Sequence, residues 1–237
     1  MDVLRVYMDL IEAMNKRHSV RSYTGKKIEG ETLKALEEKI SQVNQESGLN
    51  IQLVLNEPKA FNTKLAHYGH FENVNNYLAI VGKKGPDLSE KAGYYGEKLV
   101  LFAQTLGLNT CWVALTYGKV KHAYFLEKGE KLALVISIGY GANQGVAHKS
   151  KTFQKVTKNV KNPPQWFVDG VNAALLALTA INQQQFSFAL NGNKVIGKAG
   201  LGFYTKVDLG IAKYHFELGA GNSDWSWGWN KFYLDKA

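Results

Sequence analysis

The sequence predicts an α+β fold, α/β-like in its first part, with one central sheet covered by helices. Two patterns carry this expectation. Segments whose apolar residues recur every three or four positions alternate with short β-branched runs through residues 1–140. Beyond residue 140 helices and strands follow in a more mixed order. The 237 residues are 45% hydrophobic and 21% charged, a globular composition long enough for a sizeable core.

The elements follow in order. Val3, Leu4, Tyr7, Met8, Ile11 and Met14 make one helix face that ends near Asn15. Leu33, Leu36, Ile40 and Val43 mark a second helix over 31–46, stopped by Gly48. Residues 51–56 (IQLVLN) read as a strand, 58–76 as a polar, Asn- and His-rich loop, and 77–83 (YLAIVGK) as a strand. A helix over 88–106 carries Ala92, Gly93, Gly96 and Ala103, small residues suited to close packing. Residues 110–115 and 132–139 are apolar enough to be strands buried on both faces. The stretch 148–161 holds five lysines and no acid, and Pro163-Pro164 follows it, which makes it the candidate boundary. Trp166 to Thr179 reads as a helix with those prolines at its start. Residues 186–190 and 193–200 flank Asn191-Gly192, a hairpin signal. Asp208 to Leu218 is a helix, and 224–230 a last aromatic strand in which Trp225, Trp227 and Trp229 alternate onto one buried face.

Composition also bears on function. The formal charge of +9 raises the question of a nucleic-acid partner. No helix-turn-helix, zinc-finger or RNA-binding signature accompanies it, so a lysine-rich solvated surface without specific nucleic-acid binding is expected. The single cysteine, Cys111, excludes an intramolecular disulfide and fits a reducing compartment. Asp2, Asp9 and Glu12 interrupt the N-terminal stretch, which reads as neither a signal peptide nor a membrane span. A soluble, cytoplasmic protein without membrane contact is expected.

The densest chemistry lies just after the first helix. Lys16 to Ser22 packs three cations (Lys16, Arg17, Arg21), His18 and two hydroxyls into seven residues. Two guanidiniums four apart, with hydroxyls between them, can grip a phosphate. A turn that follows a helix cannot use that helix's N-terminal dipole, so side chains must carry the charge.

Arg17-His18-Ser19-Val20-Arg21 resembles the Arg-x-Ser-x-Arg signature of the FMN-dependent nitroreductase family, which stands after that family's first helix. Three further stretches agree in order: 106–114 (LGLNTCWVA), Gly139-Tyr140-Gly141, and His148-Lys149-Ser150-Lys151. The resemblance implies a nitroreductase-like central mixed sheet flanked by helices. It implies that Arg17, His18, Ser19 and Arg21 hold FMN and that Thr110, Cys111, Trp112, Val113 and Ala114 lie along its ring. Lys149 and Lys151 would reach its phosphate.

One segment is out of order. Residues 173–186 (AALLALTAINQQQF) resemble the family's A-P-S-x-x-N-x-Q-P-W segment, which ordinary homodimeric members carry early and reach across to the partner's flavin. Here Thr179, Asn182 and Gln184 keep the polar groups, while Leu178, Thr179 and Gln185 stand where the family has Pro, Ser and Pro. The resemblance thus implies a branch with two halves in one chain. Residues 1–160 would be a nitroreductase-like FMN-binding half, and 161–237 a truncated second half completing one flavin site. A monomer or weak homodimer follows from it.

The implied activity is FMN-dependent oxidoreduction, with NADH or NADPH as transient donor and a nitroaromatic, quinone or similar small molecule as acceptor, in ping-pong order. FMN then carries the chemistry and no catalytic side chain is required. The sequence offers no Gly-x-Ser-x-Gly, no Walker loop and no convincing metal set. His67-Tyr-Gly-His70 is a polar loop pair without carboxylate support, and 139–145 (GYGANQG) opens no helix and is weak as a dinucleotide fingerprint. Tyr94 and Tyr95 are expected to pack, and Cys111 to be an inert buried thiol. The alternatives are a non-catalytic flavin-binding or sensing protein, and a basic nucleic-acid-associated protein with a decayed flavin site.

Overall fold

A computed structural model describes residues 3–192, 194–221, 225–228 and 234–236. The chain forms two compact units. One comprises residues 16–88 and 99–147, and the other residues 1–15, 89–98 and 148–237. The lysine-rich stretch that begins at 148 therefore opens the last crossing between them, while short pieces of the first 100 residues belong with the C-terminal part.

The first unit is built on α2 (Gly30–Ser47), β1 (Asn50–Val54), α3 (Lys64–Tyr68), β2 (Tyr77–Lys83), β3 (Asn109–Val113) and β4 (Glu130–Gly139). Gly48 ends α2 at φ 66°, and its N–H donates to the Asn44 carbonyl, as a left-handed C-cap should. Within the stretch expected to be loop, Thr63 caps α3 by accepting the Ala66 N–H at 3.2 Å. The strands lie in the order β1-β2-β4-β3, and each neighbouring pair is antiparallel. Tyr77 through Gly82 of β2 are buried, so this strand is covered on both faces as its apolar run predicts. Beneath the sheet, Phe61, Phe71 and Tyr77 form tilted and edge-on ring pairs around Ala60, Ala66 and Val74.

The second unit carries α1 (Val3–Lys16) up to Asn15, the 89–98 portion of α4 (Leu88–Thr105), α5 (Phe153–Val156), α6 (Gln165–Ala174), β5 (Phe186–Asn191), β6 (Lys194–Ala199), α7 (Thr205–Gly219), β7 (Trp225–Trp227) and β8 (Leu234–Lys236). Its sheet runs β5-β6-β8-β7, again antiparallel throughout. Phe188 stacks on Phe216 at 4.9 Å, and Phe167 meets Phe216 edge-on at 5.7 Å. Gly170 lets α6 close on that ring: a Cβ there would stand 2.8 Å from it. Gly93 and Gly210 do the same for α4 and α7, each occupying space in which a Cβ would lie 2.1 Å from the other helix's carbonyl oxygen.

Three expectations are corrected. The single central mixed sheet is two four-stranded antiparallel sheets, because the 186–199 hairpin pairs with β8 rather than joining the first sheet. The helix expected over 166–179 stops at Ala174, since the Leu175 carbonyl accepts from the Ser150 hydroxyl and the Gln184 amide. The helix expected from Asp208 begins at Thr205. Tyr94 and Tyr95 pack edge-on, as expected. Trp229 lies outside the described residues.

Candidate functional site

In the first unit the 17–23 segment runs beside the start of β3. Ser19 bridges to Thr110, and the Val20 N–H donates to the Thr110 carbonyl at 3.0 Å. Tyr23 pins the segment from below: its hydroxyl donates to the Val20 carbonyl (2.7 Å) and bonds the Ser137 hydroxyl (2.8 Å). Burial pushes the Tyr23 phenol far above its ordinary range, so it stays neutral. The segment is closed by Gly145 at φ 70°, where a Cβ would stand 2.8 Å from the Ser19 carbonyl oxygen and from His18 Cβ. Asn109 joins the same turn, accepting the Gly141 N–H at 3.0 Å and donating to Gln144 at 3.1 Å.

Arg17 sits at the centre and is 3% exposed. None of its three guanidinium nitrogens has a hydrogen-bond partner among the described residues. The same holds for buried His18 Nδ1 and Thr110 Oγ1. Arg21 is exposed, with its guanidinium 6.0 Å from the Phe71 ring. Cys111 is buried. Burial raises its thiol pKa, while Arg21, Arg17 and a bond from Ser19 pull the other way. Trp112 and Ala114 are half-buried and Val113 is buried. β3 is an edge strand of its sheet, and at Thr110 its outer side is taken by the 17–23 segment.

In the second unit the remaining predicted residues gather around Gln184, which is 1% exposed. Its side-chain oxygen accepts the Lys151 N–H (2.7 Å), its amide donates to the Leu175 carbonyl (2.8 Å), and its own carbonyl accepts from Lys151 Nζ (3.0 Å). Thr179 Oγ1 accepts the Gln184 N–H, and Asn182 Nδ2 donates to the Lys149 carbonyl, both at 2.9 Å. Asn182 and Gln184 thus hold the 149–151 backbone, Thr179 fixes Gln184, and the Lys149 side chain is left exposed. Sequence reading missed Asn109, Tyr23 and Asp208. Asn109 and Tyr23 stand in stretches singled out for other residues, and Asp208 stands in none, so no local signal marked their bonds to distant segments.

Among the described residues no group of three His, Cys, Asp or Glu is placed to hold a metal ion. No helix among them is long and apolar enough to cross a membrane.

The family profile described as "Putative TM nitroreductase" matches residues 9–220. The chain belongs to this nitroreductase family. A Thermotoga maritima crystal structure described as a "putative nitroreductase" is 20% identical, covers 96% of this chain and 93% of its own, and superposes with a TM-score of 0.65. A Desulfovibrio desulfuricans structure, described as a "putative nitroreductase in complex with FMN", is 14% identical and covers 65% of this chain and 98% of its own, at a TM-score of 0.51. A nitroreductase family protein from Streptococcus pneumoniae gives 14%, 63%, 99% and 0.51 for the same quantities. No curated protein matches the sequence. These likenesses establish the nitroreductase fold, helices flanking antiparallel sheet. The last two chains align almost whole onto about two thirds of this one.

Proposed function

We propose that the protein is an FMN-dependent oxidoreductase that uses NADH or NADPH to reduce a small acceptor of the nitroaromatic or quinone kind, in ping-pong order. Arg17 is the observation that supports it. A buried guanidinium without a partner costs several kcal/mol, on the order of 3–5 when its counter-charge is missing. A phosphate monoester offers it two parallel charge-assisted bonds. The fit extends to its neighbours, since His18 Nδ1 and Thr110 Oγ1 are further buried polar atoms without partners in the same segment pair.

When bound, FMN supplies hydride acceptance and electron delivery. The chain's own residues bind and orient. Arg17, Ser19 and Arg21 take the phosphate end, and the backbone of edge strand β3 from Cys111 to Ala114 lies along the ring, where its groups are fixed in place. Cys111, neutral and apolar in its surroundings, fills space beside it. Lys149 contributes positive charge, and Thr179, Asn182 and Gln184 hold the stretch that bears it. In this reading residues 161–237 stand in for a partner subunit, one FMN binds per chain, and a monomer or weak homodimer is competent. That ordinary nitroreductase-fold chains align whole onto only part of this one supports the extra segment's presence, and the use of a single cysteine fits the cytoplasm.

The test is direct. Purified protein should carry FMN near one per chain, and anaerobic NADH or NADPH should bleach it. FMN that binds but is not reduced by either donor would leave a flavin-binding protein without reductase activity. Absence of FMN binding, with Arg17→Ala indistinguishable from wild type, would remove the reading altogether.

A further inference from the structure

The 179–184 turn is held in a conformation its own residues disfavour. Ile181 (φ 47°), Asn182 (φ 54°) and Gln184 (φ 42°) are all left-handed, and none is glycine. For β-branched Ile181 this is a real outlier, and its side chain is 95% exposed, so packing does not compensate it. Such residues are strained and persist only where surrounding structure imposes them.

Thr179, Asn182 and Gln184 tie the turn to its neighbours on one side, and on the other stands Asp208, 2% exposed in the first turn of α7. One carboxylate oxygen accepts the Ala180 N–H at 2.9 Å, and the other accepts the Gln183 amide at 2.9 Å. The second hydrogen of that amide goes to the Phe203 carbonyl at 2.8 Å. The 200–203 loop closes on the turn from the other side. The Gly200 N–H donates to the Gln185 carbonyl at 2.7 Å, and Gly202, at φ 141°, lies where a Cβ would stand 3.0 Å from Gln183 Oε1.

We propose that Asp208 is a positioning residue whose two carboxylate oxygens impose the left-handed 180–184 turn, and thereby set what this segment presents to FMN. Its link to FMN rests on the function proposed above; its hold on the turn does not.

Burial raises the Asp208 pKa to about 6 against the two hydrogen bonds, which lower it. No opposite charge contributes. Residues 179–184 contain no titratable side chain. The charged groups of α7 on either side are Lys206 and Lys213, and Lys213 is paired with Glu90 of α4. Tyr204 is the one titratable group of the adjoining loop. At neutral pH an ionised carboxylate is therefore buried without a counter-ion among the described residues. That is costly for the fold, and it delivers two acceptors where a neutral side chain of this size has one. An ordinary structural residue would stabilise both the fold and the turn, whereas Asp208 has opposite effects on the two.

The experiment uses the whole chain, free of FMN, in amide hydrogen exchange at pH 7, with FMN titrations in parallel. Asp208→Ala should speed exchange across 179–185 by about tenfold or more, leaving 17–23 unchanged. FMN affinity should fall by about five- to tenfold. Asp208→Asn keeps one acceptor and should show a smaller effect without any loss of melting temperature. Adding Gln183→Glu to Asp208→Asn restores a donor–acceptor pair and should slow the turn again. Unchanged exchange in Asp208→Ala overturns the proposal. If that variant does not fold, Asp208→Asn and its Gln183→Glu rescue decide by the same readout. A wild type that binds no FMN while the exchange results hold defeats the FMN reading and leaves the positioning role standing.

Discussion

Arg17 and Lys213 are both buried cations, 3% and 0% exposed, one in each compact unit. Their surroundings differ in one respect. Lys213 forms an ion pair with Glu90, and burial, which lowers its pKa, is opposed by that carboxylate. Arg17 has no partner among the described residues. Each charge had to be taken out of water, so each needs an anion. One anion is supplied by α4, and the other is not found among the described residues. Lys213 belongs to the machinery of folding, and Arg17 to a site that something else completes.

The largest expected effect breaks the encoded pair. Lys213→Met should destabilise the protein by about 3–5 kcal/mol in urea, because Glu90 is stranded in the interior. Arg17→Met should leave stability unchanged or raise it; equal losses in the two variants would erase the contrast. Adding Glu90→Leu to Lys213→Met should return most of the loss. Next comes ligand affinity. Arg17→Met should weaken FMN binding by about 2–4 kcal/mol, read by quenching of flavin fluorescence, and the Lys213→Met/Glu90→Leu protein should bind as wild type. Comparable weakening in both would make the Arg17 effect a general one.

A third measurement sharpens the comparison with a buried anion. Asp208 has a folded pKa of about 6, raised from 3.8. Its contribution to stability is therefore complete below the unfolded value and is lost as pH rises through 6. Wild type should gain about 1 kcal/mol between pH 7.5 and pH 5 relative to Asp208→Asn, measured by urea midpoints. The opposite sign would mean that the turn's donors outweigh desolvation. The smallest effect concerns Cys111. Its raised pKa and burial predict slow labelling by thiol reagents at pH 8, paced by unfolding. Cys111→Ala should shift FMN affinity by less than about 1 kcal/mol. Loss of turnover with FMN still bound would make the thiol catalytic.

Much of this was legible in the sequence where the cause is local. The Gly48 stop, the Asn191-Gly192 hairpin and the apolar β2 run follow from backbone geometry and burial within a few residues. The cation cluster was legible as an anion site because charge density needs no fold to be noticed. Which of its cations would lie buried and unpaired was not, since the segment around Arg17 is seated by Thr110 and Gly145, contributed by distant stretches. The end of α6 was misread for a related reason. Leu175, Leu176 and Leu178 keep a helical period, and donors from residues 150 and 184 capture the Leu175 carbonyl. The second sheet was missed because its closing partner, β8, lies about 40 residues beyond the hairpin it joins.

The divided membership of α4 has a consequence for how the chain comes off the ribosome. The first unit is complete once residue 147 has been made. The other unit is not. Glu90, Gly93 and Glu97 of α4 are synthesised early and wait for Lys213, Gly210 and His215, more than 110 residues later. Through that interval the nascent chain exposes two carboxylates and a glycine notch shaped for a helix that does not yet exist. Synthesis pauses between residues 147 and 219 should therefore be the stage at which the protein depends most on chaperones, and a ribosome stalled there should hold a folded first unit and an open half-helix whose Glu90 and Glu97 still lack their partners.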